Sequence, residues 1–254
     1  MAYTNLAGIY DQLMEDVDYN RWVNYLVKHI ETNKAPGKVL LDLGCGTGSI
    51  AVLLAKQGYR VIGIDISLEM LSQAEQKARE AKVDIFFCQQ DIEELTLGYQ
   101  VDIVIATFDT FNYITTYKGL ENIFQRVHTI LKPHGLLIFD LNTPYKLKEV
   151  LGENTYTYNT EELVYIWENY YEKQTKICQM DLTFFALEPK TGKYLRFNET
   201  HLERAYTEKE IEAMLIDKGF NLLGIYGELE FSPPKENEER IFFVAKKHSE
   251  TVEK

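Results

Sequence analysis

The sequence predicts an α/β fold: a mostly parallel sheet with helices on both faces, carrying a small antiparallel β insertion. Three observations predict it. Short apolar runs alternate with amphipathic helical runs from about residue 20 to 142. The first apolar run stops at an acid and breaks into three alternating glycines, "VLLDLGCGTGSI" at 39–50. The helical period then fades between about 154 and 206 and returns near the end of the chain.

The elements follow in order. "YNRWVNYLVKHIET" sets Trp22, Tyr25, Leu26 and Ile30 at helical spacing. "KVLLDLG", bounded by Pro36-Gly37 and Gly44, reads as a buried strand. "SIAVLLAKQG" reads as a helix stopped at Gly58, "RVIGIDI" as a strand, and "SLEMLSQAEQKAREA" as a helix capped by Ser67. "VDIFFCQ", "VDIVIAT" and "GLLIFDL" are further strands, with a helix over "YKGLENIFQRVHTILKP" before the last. Beyond Asn142, Cys178, Met180, Leu182 and Phe184 alternate with polar residues, the period of a half-buried antiparallel strand. "EPKTGKY" signals a turn and "YLRFNETHLERAY" a returning strand, so three or four strands are expected here. "TEKEIEAMLIDKGF" is a helix whose Thr207 and Glu210 form a capping box. "NLLGIYGELE" and "RIFFVAKK" close the sheet, and Pro233-Pro234 keeps their connection out of it. The tail "HSETVEK" is expected to fray. The domain reading is a core of residues 1–150 and 206–248 with an insertion over 151–205 acting as a substrate lid.

Composition narrows the function. The 254 residues suit one large domain, and 45% hydrophobic with 26% charged residues is ordinary for a globular protein with a real core. A net charge of -12, with no run of Lys and Arg, argues against nucleic acid as partner. Cys45, Cys88 and Cys178 are odd in number and widely spaced, which fits a reducing compartment and neither a disulfide framework nor a zinc site. The N-terminus lacks a signal-peptide pattern and no apolar stretch is long enough for a membrane span. A cytoplasmic protein without membrane contact is expected, and a homodimer is left open.

The glycine run raises the question of what approaches its backbone. A parallel sheet binds ligands at the carboxyl ends of its strands, and amides at a helix start favour an anion. Gly44-Cys45-Gly46-Thr47-Gly48 occupies that place. Asp65, about twenty residues on, is set to accept from ribose hydroxyls. A dinucleotide fingerprint needs its third glycine one residue later, where Ser49 stands, and Asp42 before the loop would repel a pyrophosphate. A cationic amine or sulfonium would welcome that charge. S-adenosylmethionine carries both. Asp91 in "FFCQQDIEEL" is placed to accept from an adenine amino group, and the amide of Ile92 to donate to a ring nitrogen. A nucleoside fits better than a phosphate.

The runs "LDLGCGTG", "GIDIS..ML" and "QQDI", with the motif after the fourth strand, resemble class I S-adenosylmethionine-dependent methyltransferases over nearly the whole chain. The nearest resemblance is to small-molecule members that methylate sugar amines or glycine, which share the "YD" segment at Tyr10-Asp11, the aromatic helix "DYNRWVNYL" and an antiparallel insertion after the fifth strand. The resemblance implies a Rossmann-like sheet of order 3-2-1-4-5-7-6 with the seventh strand antiparallel. It implies that Asp42, Gly44, Cys45, Gly46 and Gly48 hold the methionine moiety and that Asp65 and Ile66 hold the ribose. Met70 would pack near the adenine, Gln90, Asp91 and Ile92 would meet its edge, and Ala106, Thr107, Phe108 and Asp109 would close the pocket from beneath. Tyr10, Tyr19 and Trp22 would cover it from above.

Methyl transfer from a sulfonium is an in-line displacement that gains from proximity and a dry site, so no metal is expected, and the five His and three Cys lack ligand spacing. Candidates to direct or deprotonate the acceptor are Tyr10, Asp109 and Asn112 of "TFDTFNYI", and His201 and Arg204 of "ETHLERAY". The fourth-strand motif lacks the Pro-Pro-aromatic signature of methylation at planar nitrogens, and no Pro-Cys pair suggests attack at a pyrimidine carbon. A small-molecule acceptor with a nitrogen or oxygen nucleophile is expected. The rivals are a nicotinamide-dependent oxidoreductase, disfavoured by Asp42 and the glycine spacing, and a non-catalytic S-adenosylmethionine-binding module.

Overall fold

The computed structural model describes residues 7–248, so the tail from Ser249 onward and the first six residues lie outside the described residues. The chain runs α1 (Ala7–Leu13), α2 (Tyr19–Thr32), β1 (Val39–Leu43), α3 (Ser49–Lys56), β2 (Arg60–Asp65), α4 (Leu68–Ala81), β3 (Phe86–Gln89) and β4 (Val101–Ala106). It continues through α5 (Tyr117–Ile130), β5 (Leu131–Asn142), β6 (Thr155–Asn159), β7 (Leu163–Glu172), β8 (Ile177–Glu188) and β9 (Lys193–Arg204), and ends with α6 (Glu208–Asp217), β10 (Phe220–Gly227) and β11 (Arg240–Lys247).

Seven strands form the main sheet in the order β3-β2-β1-β4-β5-β11-β10, with β11 antiparallel to both neighbours and the others parallel. Once the insertion strands are set aside, this is the expected 3-2-1-4-5-7-6 order. Each central strand feeds two cores. Leu41 and Leu43 of β1 and Phe243 of β11 pack under α5 and α6, whereas Leu40, Ile103, Ile105, Phe242 and Val244 pack under α2 and α3. Burial on both faces explains why these strands read as unbroken apolar runs.

The helix ends follow the expected chemistry. Ser67 Oγ accepts the Met70 N–H at 3.2 Å. The Thr207–Glu210 box is closed from both sides, at 3.3 and 2.8 Å. One boundary differs: α5 ends at Ile130, and Leu131–Pro133, read as helix, begin β5. Proline cannot extend the helix that precedes it. The α1 helix and the π-helical turn Lys146–Leu151 were not anticipated.

The insertion is a four-stranded antiparallel sheet, β6-β7-β8-β9, in which Met180 lies opposite His201 and Cys178 opposite Glu203. Its inner face covers the carboxyl ends of the parallel strands. Helix α1 lies across the seam: Ile9, Tyr10 and Leu13 pack on Leu163, Phe184 and Phe197 of the insertion, while Asp11 Oδ1 accepts from Thr47 Oγ1 of the glycine loop at 2.7 Å. Among the described residues no helix is long and apolar enough to cross a membrane.

Candidate active site

A cavity of about 580 Å³ opens between the tips of β1, β2 and β4 and the inner face of the insertion. At its parallel-sheet end, Asp42 is the last polar residue of β1 and is 1% exposed. Its Oδ1 is buried and, among the described residues, takes no hydrogen bond. Burial, with a contribution from the charge of Asp65, pushes its carboxyl up to about 8. Such a group lacks a counter-charge, and a ligand bearing a cation would supply it. Asp65, at the tip of β2, accepts N–H bonds from Gly46 at 2.8 Å and Ser67 at 2.9 Å. Burial raises its proton affinity and these amides pull it back. Gly46 has a φ of +52° with open space where a Cβ would stand, so its backbone faces the cavity unshielded.

Farther along, Ile66, Met70, Gln90, Asp91 and Ile92 line the same wall. Asp91 Oδ1 accepts the Glu93 N–H at 2.8 Å, which starts the 3₁₀ turn Ile92–Glu94 and aims this edge at the cavity. The floor is the loop after β4. Thr107, Phe108 and Asp109 line it, and Phe108 and Asp109 both adopt left-handed backbone, with φ of 57° and 55°. Asp140 of β5 holds that shape by accepting the Phe108 N–H at 2.8 Å and the Asp109 N–H at 2.9 Å. Arg240, the first residue of β11, ties both acids together, pairing with Asp140 and, at 2.7 Å, with Asp109. Burial works against its charge, but Asp140 and Asp109 outweigh that and raise its pKa.

Comparison with known proteins decides the family. Residues 40–135 match a methyltransferase domain model. Two chains named as putative methyltransferases are each 37% identical to this one: that of Geobacillus sp. (strain WCH70), over 97% of this chain and 100% of its own length, and YqeM of Bacillus subtilis (strain 168), over 99% of both. The crystal structure of an S-adenosylmethionine-dependent methyltransferase from Clostridium acetobutylicum ATCC 824 superposes with a TM-score of 0.89 at 34% identity, covering 97% of this chain and 99% of that one. This chain belongs to the S-adenosylmethionine-dependent methyltransferases. The sugar N-methyltransferase KedS8 from Streptoalloteichus sp ATCC 53650 shares the fold, with a TM-score of 0.76 at 16% identity over 94% of this chain and 93% of its own.

S-adenosylmethionine is therefore the cofactor of this methyltransferase, and the unpartnered Asp42 oxygen and the bare Gly46 backbone fit it. Of the residues singled out from sequence, Tyr10, Tyr19, Asp42, Gly44, Cys45, Gly46, Asp65, Ile66, Met70, Gln90, Asp91, Ile92, Thr107, Phe108, Asp109 and His201 line the cavity.

Five others do not. Trp22 lies beneath the floor instead of above the pocket, stacked on Phe108 at 4.1 Å and packed into the core under α2. Gly48 has a φ of +75° and packs on α4, where a Cβ would come within 2.9 Å of Ala74, so its bareness serves helix contact. Ala106 is buried in the opposite core. Asn112 is fully buried and clamps two strand ends: its Nδ2 donates to the carbonyls of Asn142 and Arg204, and its Oδ1 accepts the Asn142 N–H. Arg204 points away, donating to the carbonyls of Thr115 and Thr175 at 3.3 Å. The reason is parity: strand side chains alternate, so with His201 facing inward the next inward residue is Glu203.

The insertion end of the cavity was barely visible in the sequence. Tyr113, Lys146, Trp167, Met180, Leu182, Phe184, Glu203 and Arg240 line it. His201 Nδ1 lies 3.3 Å from the Tyr113 hydroxyl, and burial lowers its pKa, partly offset by Asp109. Tyr10 closes the roof, and burial, then the charges around it, raises its phenol well above the usual range. The period of β8, counted from Met180 to Phe184, and His201 on the returning strand were the signals for this wall. Among the described residues no cluster of His, Cys, Asp and Glu is arranged to hold a metal ion.

Proposed function

We propose that this methyltransferase transfers a methyl group from S-adenosylmethionine to a nitrogen or oxygen of a small-molecule acceptor by in-line displacement, with residues 151–205 roofing the acceptor over a core of 1–150 and 206–248. The observation that carries this reading is the single continuous cavity. Its volume of about 580 Å³ lies within the range of roughly 300–1,000 Å³ typical of small-molecule sites, and α1 and the insertion cover it where a polymer would need an open groove.

In this reading Asp42 holds the cofactor's amine, Asp65 its ribose, and Asp91 with the Ile92 amide the edge of its adenine, while Ile66 and Met70 flank the ring. The bound cofactor supplies an electrophilic methyl on a sulfonium. Phe108, Asp109 and Tyr10 exclude water from the line of transfer, and the wall of Trp167, Met180, Leu182 and Phe184 receives the acceptor's apolar body. Catalysis then draws on proximity and orientation in a dry site.

Calorimetric titration with S-adenosylmethionine tests the first half, and the reading fails if no heat is seen at high micromolar ligand. Incubation of the loaded enzyme with a small-molecule extract, followed by measurement of S-adenosylhomocysteine, tests the second. Turnover with nucleic acid or protein fractions, and none with small molecules, would reject it.

A further inference from the structure

One carboxyl at the insertion end, Glu203, has no part in holding the cofactor. It lies on the inner face of β9 and is 3% exposed. Its Oε2 accepts from Asn142 Nδ2 at 2.8 Å; its Oε1 takes no hydrogen bond among the described residues, and the residue lines the cavity. Among the described residues no cation makes an ion pair with it. Lys146 Nζ is bonded instead to Asn142 Oδ1 at 2.9 Å, on the far side of the same amide, and Arg240 is committed to Asp109 and Asp140.

The other ionisable groups here are engaged. Asp109 is ion-paired with Arg240, and His201 meets the Tyr113 hydroxyl. Among the described residues at this end of the cavity, Glu203 is the carboxyl that combines burial, cavity access and an oxygen without a donor; Asp42 has the same features at the opposite end.

We propose that Glu203 is the group that takes the proton an acceptor must lose to be methylated, and that its charge selects an acceptor whose reacting atom is an N–H-bearing ammonium over a carboxylate or a thioether. This rests on the small-molecule reading above. An ammonium has no lone pair to attack with, so its proton passes first to Glu203 Oε1. The freed nitrogen pair then forms the C–N bond as the C–S bond breaks, and the sulfur keeps the two electrons of the broken C–S bond. The products are a methylated ammonium and S-adenosylhomocysteine, and Glu203 returns its proton to solvent.

The surroundings suit this task. Burial raises the proton affinity of Glu203 well above that of an ordinary glutamate, the Asp109 charge adds to it, and Asn142, Lys146 and Arg240 draw it back. The remaining groups facing it, Cys178 from β8 and His201 two residues along β9, carry no charge near neutral pH: burial pushes the Cys178 thiol up to about 12 and lowers the pKa of His201.

The test loads wild type, E203Q and E203D with S-adenosylmethionine bearing a deuterated methyl and offers a small-molecule extract of bacterial cells. Mass spectrometry assigns the label to nitrogen, oxygen or sulfur. The expected product is N-methylated. Its rate in wild type falls about tenfold per pH unit on the acid side, and E203Q lowers it by about 10²–10⁴-fold and abolishes that limb. E203D restores the limb at a displaced pH, and cofactor affinity stays within about twofold throughout. Label on a carboxylate oxygen or on sulfur overturns the proposal, as does E203Q retaining rate or limb, or the absence of any product while the cofactor binds normally. If E203Q does not fold, the same rate and limb are read in E203D, where an unshifted profile counts against the proposal. Failure of wild type to bind the cofactor instead overturns the reading on which the proposal rests.

Discussion

At the cofactor end of the cavity the key contacts join residues close in sequence, such as Asp65 and Gly46, 19 positions apart. At the insertion end they join Asn142 to Glu203 across 61 positions, Asp140 to Arg240 across 100 and Asp109 to Arg240 across 131. The first end is therefore assembled by successive strand tips of a parallel sheet, each delivering its own acid. The second exists only once the antiparallel β11 and the insertion have docked. Local geometry builds one half of the site and tertiary packing builds the other, so the two halves should fail differently when broken.

The sharpest break is Arg240→Ala. It removes the cation between Asp109 and Asp140, the latter fully buried, and leaves two carboxylates facing each other under the floor loop. Removing one partner of a buried pair costs about 3–5 kcal/mol. At about 2–4 °C per kcal/mol for a chain of this size, thermal unfolding should fall by roughly 6–20 °C. A drop under about 3 °C by scanning fluorimetry would mean the floor is held by other contacts. Arg240→Lys keeps the charge without the planar fork and should fall between.

Asn112→Ala comes next. It strands the carbonyls of Asn142 and Arg204 and the Asn142 N–H in a fully buried place, an expected loss of about 2–3 kcal/mol by urea unfolding. Its effect on S-adenosylmethionine affinity should be under about twofold, because Asn112 lies outside the cavity lining. A large affinity loss at unchanged stability would move it into the site.

Legibility divides along the same line. The strands and the glycine loop were readable from apolar runs that end at a polar residue, which is also why Asp42, Asp65 and Asp91 could be placed along the cavity wall, and the order of the main sheet came with the resemblance. Trp22 and Gly48 were misplaced because an aromatic on a helix face and a third glycine each serve packing as readily as a ligand. Arg204 was a slip of one residue on a strand whose alternation pointed to Glu203 once His201 was set inward. Arg240 had no local signal: it opens an ordinary apolar strand, and only the antiparallel docking of β11 beside β5 brings it to Asp140.

A weaker effect, confined to the cofactor end, is expected of Asp42→Asn. With its carboxyl pushed up to about 8, Asp42 is largely neutral at pH 6 and ionised at pH 9. Affinity for the cationic cofactor should therefore rise with pH, by at most about tenfold per unit below 8, and level off above it. In Asp42→Asn the calorimetric profile should be flat. The stability linkage has a defined sign. The unfolded carboxyl ionises near pH 4 and the folded one near 8, so this group's contribution to stability falls as pH rises between them. The cofactor-free wild type should lose more stability from pH 5 to 8 than Asp42→Asn does; equal losses would show that Asp42 is ionised in the fold at low pH.

The smallest effect concerns α1, which touches both ends. Its apolar side, Ile9, Tyr10 and Leu13, packs on the insertion, and its Asp11 pairs with Lys77 of α4 at 2.9 Å. Lys77 Nζ also reaches Thr47 Oγ1 at 3.1 Å and Ser49 Oγ at 2.7 Å, so the same ammonium links the helix to the glycine loop. Both charged side chains are partly exposed, at 28% and 50%, and such pairs are worth about 0–1 kcal/mol. Lys77→Ala should leave global unfolding nearly unchanged. If the latch holds α1 in place, amide exchange over Ala7–Leu13 should quicken several-fold while exchange in β8 and β9 stays constant, and high salt should reproduce part of the effect in wild type. If exchange over α1 stays constant too, the apolar contact with the insertion alone secures the helix, and α1 moves as part of the insertion half of the site.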